Sequence, residues 1–187
     1  MRLILASASP RRSELLTAAR IPFEVCPVEV DERPLENEDP GAYAVRVAHD
    51  KAAAFGEIPP GALVLAADTT VVVDGEVLGK PADEADAARM LRLLSGRWHE
   101  VLSGVAFRHA DGEATALDSS RVRFLPLGED EIRWYISTGE PFGKAGAYAI
   151  QGLASRFIDR IEGSYSNVVG LPVSRVYQEL RRLGFLG

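Results

Sequence analysis

The 187-residue sequence predicts an α/β fold in which a mixed, twisted sheet is flanked by helices. Three observations carry that prediction. Short apolar runs at 3–6 and 63–67 lack polar alternation and read as strands covered on both faces. Segments with apolar residues at helical spacing separate them, opened by Ser, Asp or Pro and one of them closed by Gly. Asp-Gly pairs at 74–75 and 111–112 sit between strand-like stretches and mark antiparallel hairpins. Residues 1–187 read as one domain, with room for two lobes around a central cleft at the strand ends.

In chain order, the run at 3–6 is a strand, and Ser9-Pro10 supplies an N-cap and first turn for a helix to about Ala19. Residues 21–28 read as a second strand, and 29–39 as an acidic, proline-containing loop. Asp39-Pro40 opens a helix with Ala44, Val47, Ala48, Ala52 and Phe55 on its apolar side. The run at 63–67 is a strand that ends at Asp68 and Thr69. A hairpin over 71–78 follows, then a helix capped by Asp83 and stopped by Gly96. Residues 98–107 and 116–124 form a long antiparallel pair. A short helix spans 129–137, an irregular glycine-rich segment 139–152, and a strand 157–161. The last helix starts near Pro172 and packs Val173, Val176, Tyr177, Leu180 and Leu183.

Composition removes several classes of function. A formal charge of −6 disfavours a nucleic-acid polymer as partner, since that affinity rests on many Lys and Arg contacts. No apolar run is long enough to cross a membrane, and 2–5 meet a Ser-Pro-Arg-Arg turn before a signal-peptide core can form, so a cytoplasmic location is expected. The single cysteine, Cys26, has apolar flanks and reads as a reduced core or near-core residue. His49, His99 and His109 lack zinc-site spacing, and neither a Gly-x-Ser-x-Gly elbow nor a glycine-rich phosphate loop occurs.

What remains is a set of carboxylates, lysines and arginines. Ser7, Ser9, Arg11 and Arg12 surround a strand-to-helix junction, where free N–H groups and guanidiniums make a phosphate cradle; the ordinary alternative is a capped helix with solvated arginines. Asp68 follows five apolar residues, so it must be paired, metal-bound or exposed at the sheet's edge; a structural turn cap is the alternative. Taken alone, Thr69 and Thr70 are best explained as β-branched strand residues. Lys51 and Lys80 can reach toward Asp68 or snorkel to water. Asp31-Glu32 can supply a second oxygen ligand for a hard cation or remain solvated loop acids. Together these are parts suited to phosphoryl chemistry.

Five ordered segments, Leu-Ile-Leu-Ala-Ser-Ala-Ser-Pro-Arg-Arg at 3–12, Ala-Asp-Thr at 67–69, Leu-Gly-Lys-Pro at 78–81, Leu-Ser-Gly-Arg-Trp-His-Glu-Val at 94–101 and Ser-Asn-Val-Val-Gly-Leu-Pro at 166–172, together resemble the Maf family. The resemblance covers nearly the whole chain and implies a Maf/ITPase-like fold. It also implies hydrolysis of a nucleoside triphosphate between its α- and β-phosphates, with Mg²⁺ or Mn²⁺ as cofactor. Asp68 matches the family's proton acceptor, and Arg11, Thr69 and Gln151 match its specificity positions. With Gln151 inside Lys-Ala-Gly-Ala-Tyr-Ala-Ile-Gln-Gly at 144–152, the chain looks like the dTTP/UTP branch, with CTP or modified pyrimidine nucleotides as further candidates. On this reading Glu32 and Asp68 hold the cation, while Ser7, Ser9, Arg11, Arg12, Lys51, Thr69, Lys80 and Gln151 bind substrate. A homodimer is the implied assembly, and a nucleotide-sensing regulator of cell division without turnover is the rival function.

Overall fold

A computed structural model describes residues 2–185. Its elements are β1 (Arg2–Leu5), α1 (Pro10–Ala18), β2 (Glu24–Val25), α2 (Pro40–Ala54), β3 (Ala62–Val73), β4 (Glu76–Leu78), α3 (Glu84–Leu94), β5 (Trp98–His109), β6 (Gly112–Phe124), α4 (Glu129–Ser137), β7 (Ile158–Glu162), α5 (Tyr165–Val169) and α6 (Val173–Arg182), with 3₁₀ turns at Ala145–Ala147 and Leu153–Phe157. Seven strands form one mixed sheet in the order β2-β1-β3-β5-β6-β7, with β4 on β3. β1 runs parallel to both β2 and β3, whereas β4 on β3 and β7 on β6 are antiparallel.

The described residues fall into two compact units, one within Met1–Thr69, Ser103–Asp118 and Gly170–Gly187 and the other within Thr70–Leu102 and Ser119–Val169. In the first unit β1 and the first half of β3 are covered on both faces, as their unbroken apolar runs require. Leu3, Leu5, Leu63, Leu65, Val105 and Phe107 pack on Leu16 of α1 and on Val176 and Leu180 of α6. Ile4, Ala6, Val64, Ala66 and Ala106 pack the other way, on Ala48 and Ala52 of α2. The α2 N-terminus is fixed by Pro40 and by the Asp39 carboxylate, which accepts from the amides of Gly41 and Ala42 at 2.9 and 3.0 Å. Helix and sheet touch at Gly104, where an added Cβ would stand 2.2 Å from the Ala44 carbonyl oxygen.

The second unit is built around α3 and α4. Asp83 caps α3 through the Asp86 amide at 2.8 Å, and Ala87, Met90, Leu91 and Leu94 are buried. Its buried aromatic cluster places His99, Phe124 and Tyr148 edge to face, with centroids 4.9–5.4 Å apart.

Four expectations need correction. The strand expected at 21–28 shrinks to Glu24–Val25, because Pro22 and Pro27 leave few amides for a ladder. Cys26 is exposed, as are its neighbours Glu24, Val25 and Pro27, while Phe23 and Val28 toward the ends of the segment reach the core. Tyr177 is 46% exposed, so the packed stripe of α6 is narrowed to Val176 and Leu180, with Val173 and Leu183 half-buried. Asp68 does not end its strand: β3 continues to Val73 because Thr69, Thr70 and Val71 to Val73 are all β-branched. It is β1 that stops early, its register with β3 closing at Leu5 opposite Leu65. The helix α5 was not foreseen in the sequence.

Candidate active site

Strand alternation decides what meets Asp68. Positions 62, 64 and 66 face α2, so Asp68 faces α2 as well, while Thr69 turns toward α1 and α6 with 63, 65 and 67. On α2 the apolar stripe of Ala44, Val47, Ala48 and Ala52 is interrupted by Lys51, which is only 7% exposed. The Lys51 ammonium donates to Asp68 Oδ1 at 2.7 Å, and Glu32 Oε1 lies 2.7 Å from the same nitrogen. Two carboxylates thus converge on one buried cation. Glu32 reaches that point from the acidic loop, whose backbone is tied down by the Tyr43 hydroxyl donating to the Glu32 carbonyl at 2.8 Å. Burial, with the nearby charges of Asp68 and Glu32, pushes the Tyr43 phenol up to about 12, so it stays a donor.

On the opposite face, Arg12 of α1 is buried beneath Thr69. Its Nε donates to the Gly170 carbonyl at 2.9 Å, one terminal nitrogen to Ser7 Oγ at 3.0 Å, and the other to Thr69 Oγ1 at 3.4 Å. The Thr69 hydroxyl also lies 2.8 Å from Ser103 Oγ and 3.2 Å from the Gly170 carbonyl. Ser7 Oγ accepts from the Ser9 amide at 3.2 Å and so shapes the turn into α1. Ser9 is the N-cap of α1 yet makes no side-chain cap bond. Desolvation pulls Arg12 below the ordinary guanidinium range, and the charge of Asp68 opposes that pull. Arg11 is half-buried and is likewise lowered by desolvation, with Glu14 acting against it.

The first unit therefore holds two clusters, Glu32, Lys51 and Asp68 on one face of the sheet and Ser7, Arg12 and Thr69 on the other, with Ser9 and Arg11 at the turn into α1. Lys80, just past β4, and Gln151, between the two 3₁₀ turns, are exposed residues of the second unit. Asp31 does not join the carboxylate pair; it is exposed and bonded to Arg33, which holds it down at about 2. Sequence reading missed the supporting roles of Tyr43, Ser103 and Gly170. Alternation was a usable signal for Ser103, which shares a face with Val105 and Phe107; nothing local marked Gly170 as the acceptor for Arg12.

Among the described residues no group of three His, Cys, Asp or Glu side chains could hold a metal. The pair Glu32 and Asp68 still fits Mg²⁺, which is commonly held by one or two carboxylates with phosphate and water oxygens completing its shell. No helix among the described residues is long and apolar enough to cross a membrane.

A sequence model of a family described as Maf-like protein matches residues 2–183. A protein of Koribacter versatilis named dTTP/UTP pyrophosphatase is 54% identical over 186 residues, covering 100% of this chain and 96% of that one. Proteins of the same name from Symbiobacterium thermophilum and Geobacter sulfurreducens are 54% and 51% identical, covering 98% and 99% of this chain and 94% and 98% of theirs. In fold, the chain is similar to a HAM1 protein from Coxiella burnetii, with a TM-score of 0.54 at 16% identity and full coverage of both chains.

Proposed function

The chain belongs to the Maf-like protein family, and from that premise we propose that it hydrolyses dTTP and UTP to the nucleoside monophosphate and pyrophosphate. The observation that carries this reading is the convergence of Asp68 and Glu32 on Lys51, with the Ser7–Arg12 turn and Thr69 in the same unit. That arrangement suits a triphosphate. Carboxylates can hold a cation or a proton, and the turn into α1 offers hydroxyls, guanidiniums and amides to phosphate oxygens.

In the proposed reaction a water oxygen bonds to the α-phosphorus and the bridging oxygen to the β-phosphate departs with pyrophosphate. The water's proton passes to the Asp68 carboxylate. Glu32 and Asp68 would hold a divalent cation, which when bound would offset the triphosphate charge. Lys51 keeps both carboxylates aligned, and Arg11, Arg12 and Lys80 stabilise negative charge on the phosphates. Gln151 reads the base, because its amide both donates and accepts, matching the alternating imide edge of thymine or uracil. A homodimer is the assembly we infer, to be checked by light scattering.

The test is incubation with dTTP, UTP and CTP plus Mg²⁺, followed by assay of pyrophosphate and orthophosphate. Pyrophosphate release with dTTP and UTP preferred is the expected result. Orthophosphate release would indicate another phosphohydrolase, and no turnover would favour the sensing role. Asp68→Asn should lower turnover by roughly 10²–10⁴-fold. Near-normal turnover of that variant at saturating Mg²⁺ removes Asp68 from the role of base.

A further inference from the structure

Beside its backbone turn bonds, the irregular segment after α4 is tied together by one carboxylate. Glu140 Oε1 accepts from the Tyr135 hydroxyl at 2.8 Å and the Ala154 amide at 3.2 Å, and Oε2 accepts from the Leu153 amide at 2.9 Å. The Tyr135 oxygen, in turn, accepts from the Ala149 amide at 3.3 Å. Tyr135 is fully buried, and burial together with the Glu140 carboxylate raises its pKa, so the phenol stays protonated and can relay the contact. Glu140 also offers its own carbonyl to the Lys144 ammonium at 2.6 Å.

Of the three amides gripped in this way, those of Ala149 and Leu153 stand two residues before and two residues after Gln151. Gly152 comes so near the carboxylate that a Cβ there would lie 2.3 Å from Oε2 and push the Glu140 side chain aside. From Gly146 to Ile150 every residue is buried; Gln151 is the first exposed side chain after them. A segment without a ladder has no other regular source of partners for its amides, and charge-assisted bonds to a carboxylate are the stronger kind. The result is a rigid mount with one polar side chain presented at its end.

We propose that Glu140, acting through Tyr135, is a positioning residue for Gln151 and thereby sets the preference for the thymine or uracil edge over cytosine. This rests on the reading of Gln151 given above. An amide side chain can rotate to match either base edge, so selectivity depends on how firmly its backbone is held.

The test uses Glu140→Gln and Tyr135→Phe in the full chain, alone and with Gln151→Ala, reading kcat and KM for dTTP and dCTP. Glu140→Gln keeps one acceptor oxygen but loses the second, and Tyr135→Phe removes the relay to Ala149. Each should reduce the dTTP:dCTP ratio of kcat/KM by roughly tenfold, with the loss on KM for dTTP rather than on kcat. In the Gln151→Ala background Glu140→Gln should leave the ratio where Gln151→Ala alone puts it. The positioning role is overturned by a Glu140→Gln protein that melts earlier yet keeps the parental ratio, or by losses that multiply in the double variant. If Gln151→Ala itself keeps the parental ratio, it is the base-reading role that fails, and the positioning proposal falls with it. If no nucleotide is turned over, calorimetric affinities for non-hydrolysable dTTP and dCTP analogues carry the same criteria.

Discussion

Replacing Lys51 by Met tests the electrostatic core of the site directly. Methionine keeps the stem's packing on α2 while removing the ammonium that Asp68 and Glu32 share at 2.7 Å each. Asp68 is 8% exposed and would be left facing a second carboxylate, with Arg12 as a remaining cation whose charge Asp68 senses. Removing one partner of a buried ion pair costs about 3–5 kcal/mol. The lower end applies here, because the Glu32 side chain is 41% exposed and its charge is partly solvated. For a chain of 187 residues a loss of about 3 kcal/mol lowers Tm by roughly 6–12 °C. A divalent cation should then take the ammonium's place: Mg²⁺ at a hundred times its Kd would return about 2.7 kcal/mol. Thermal melts of parent and Lys51→Met proteins, with EDTA and with Mg²⁺, provide the measurement. A variant that melts within about 1 °C of the parent, or that gains no more from Mg²⁺ than the parent does, refutes the reasoning.

Gly104→Ala would drive a methyl group to 2.2 Å from the backbone oxygen of Ala44, and since backbone cannot rotate away, urea denaturation should show a loss of about 3 kcal/mol; a variant as stable as the parent would mean that α2 does not rest on β5 there. His99 is held neutral by burial, with its pKa down to about 3 from an unfolded value of 6.5. The unfolded chain therefore takes up a proton below about pH 6.5 that the native protein refuses, and stability should fall by about 2 kcal/mol between pH 7 and pH 5. His99→Leu should lose that part of the slope in denaturant titrations at the two pH values, and an unchanged slope would assign the pH dependence to other groups.

The elements that sequence predicted well are those whose signals are local. Asp39-Pro40 and Asp83 start α2 and α3 because a short side chain there reaches the first free amides. The Asp-Gly turn at 74–75 closes β3 on β4 because both residues adopt positive φ. Less legible were features decided by neighbours. Nothing in 21–28 says that its middle will lie exposed at the sheet's edge, so its apolar residues suggested a longer strand and a buried Cys26. Tyr177 falls at helical spacing with Val173 and Leu180, but which side of a helix is covered is set by the sheet it lies on. The segment 139–152 was legible only as irregular and glycine-rich, because much of its order comes from Glu140 gripping amides up to fourteen residues away.

Asp68 shows how the two kinds of information combine. A carboxylate directly after an apolar run signals a site, but the sequence places it at a strand end, where exposure alone would satisfy it. The threonines and valines that follow extend β3 to Val73, so Asp68 lies within the strand and cannot rely on solvent. Alternation then turns it toward α2, and helical spacing brings Lys51 to the same face. That pairing explains why a lysine interrupts an alanine stripe, which the sequence alone left open to snorkelling. On the reading proposed above, a bound cation would compete with Lys51 for the same two carboxylates, whose combined charge the single ammonium only half offsets. The melts with and without Mg²⁺ proposed for Lys51→Met measure that competition independently of turnover.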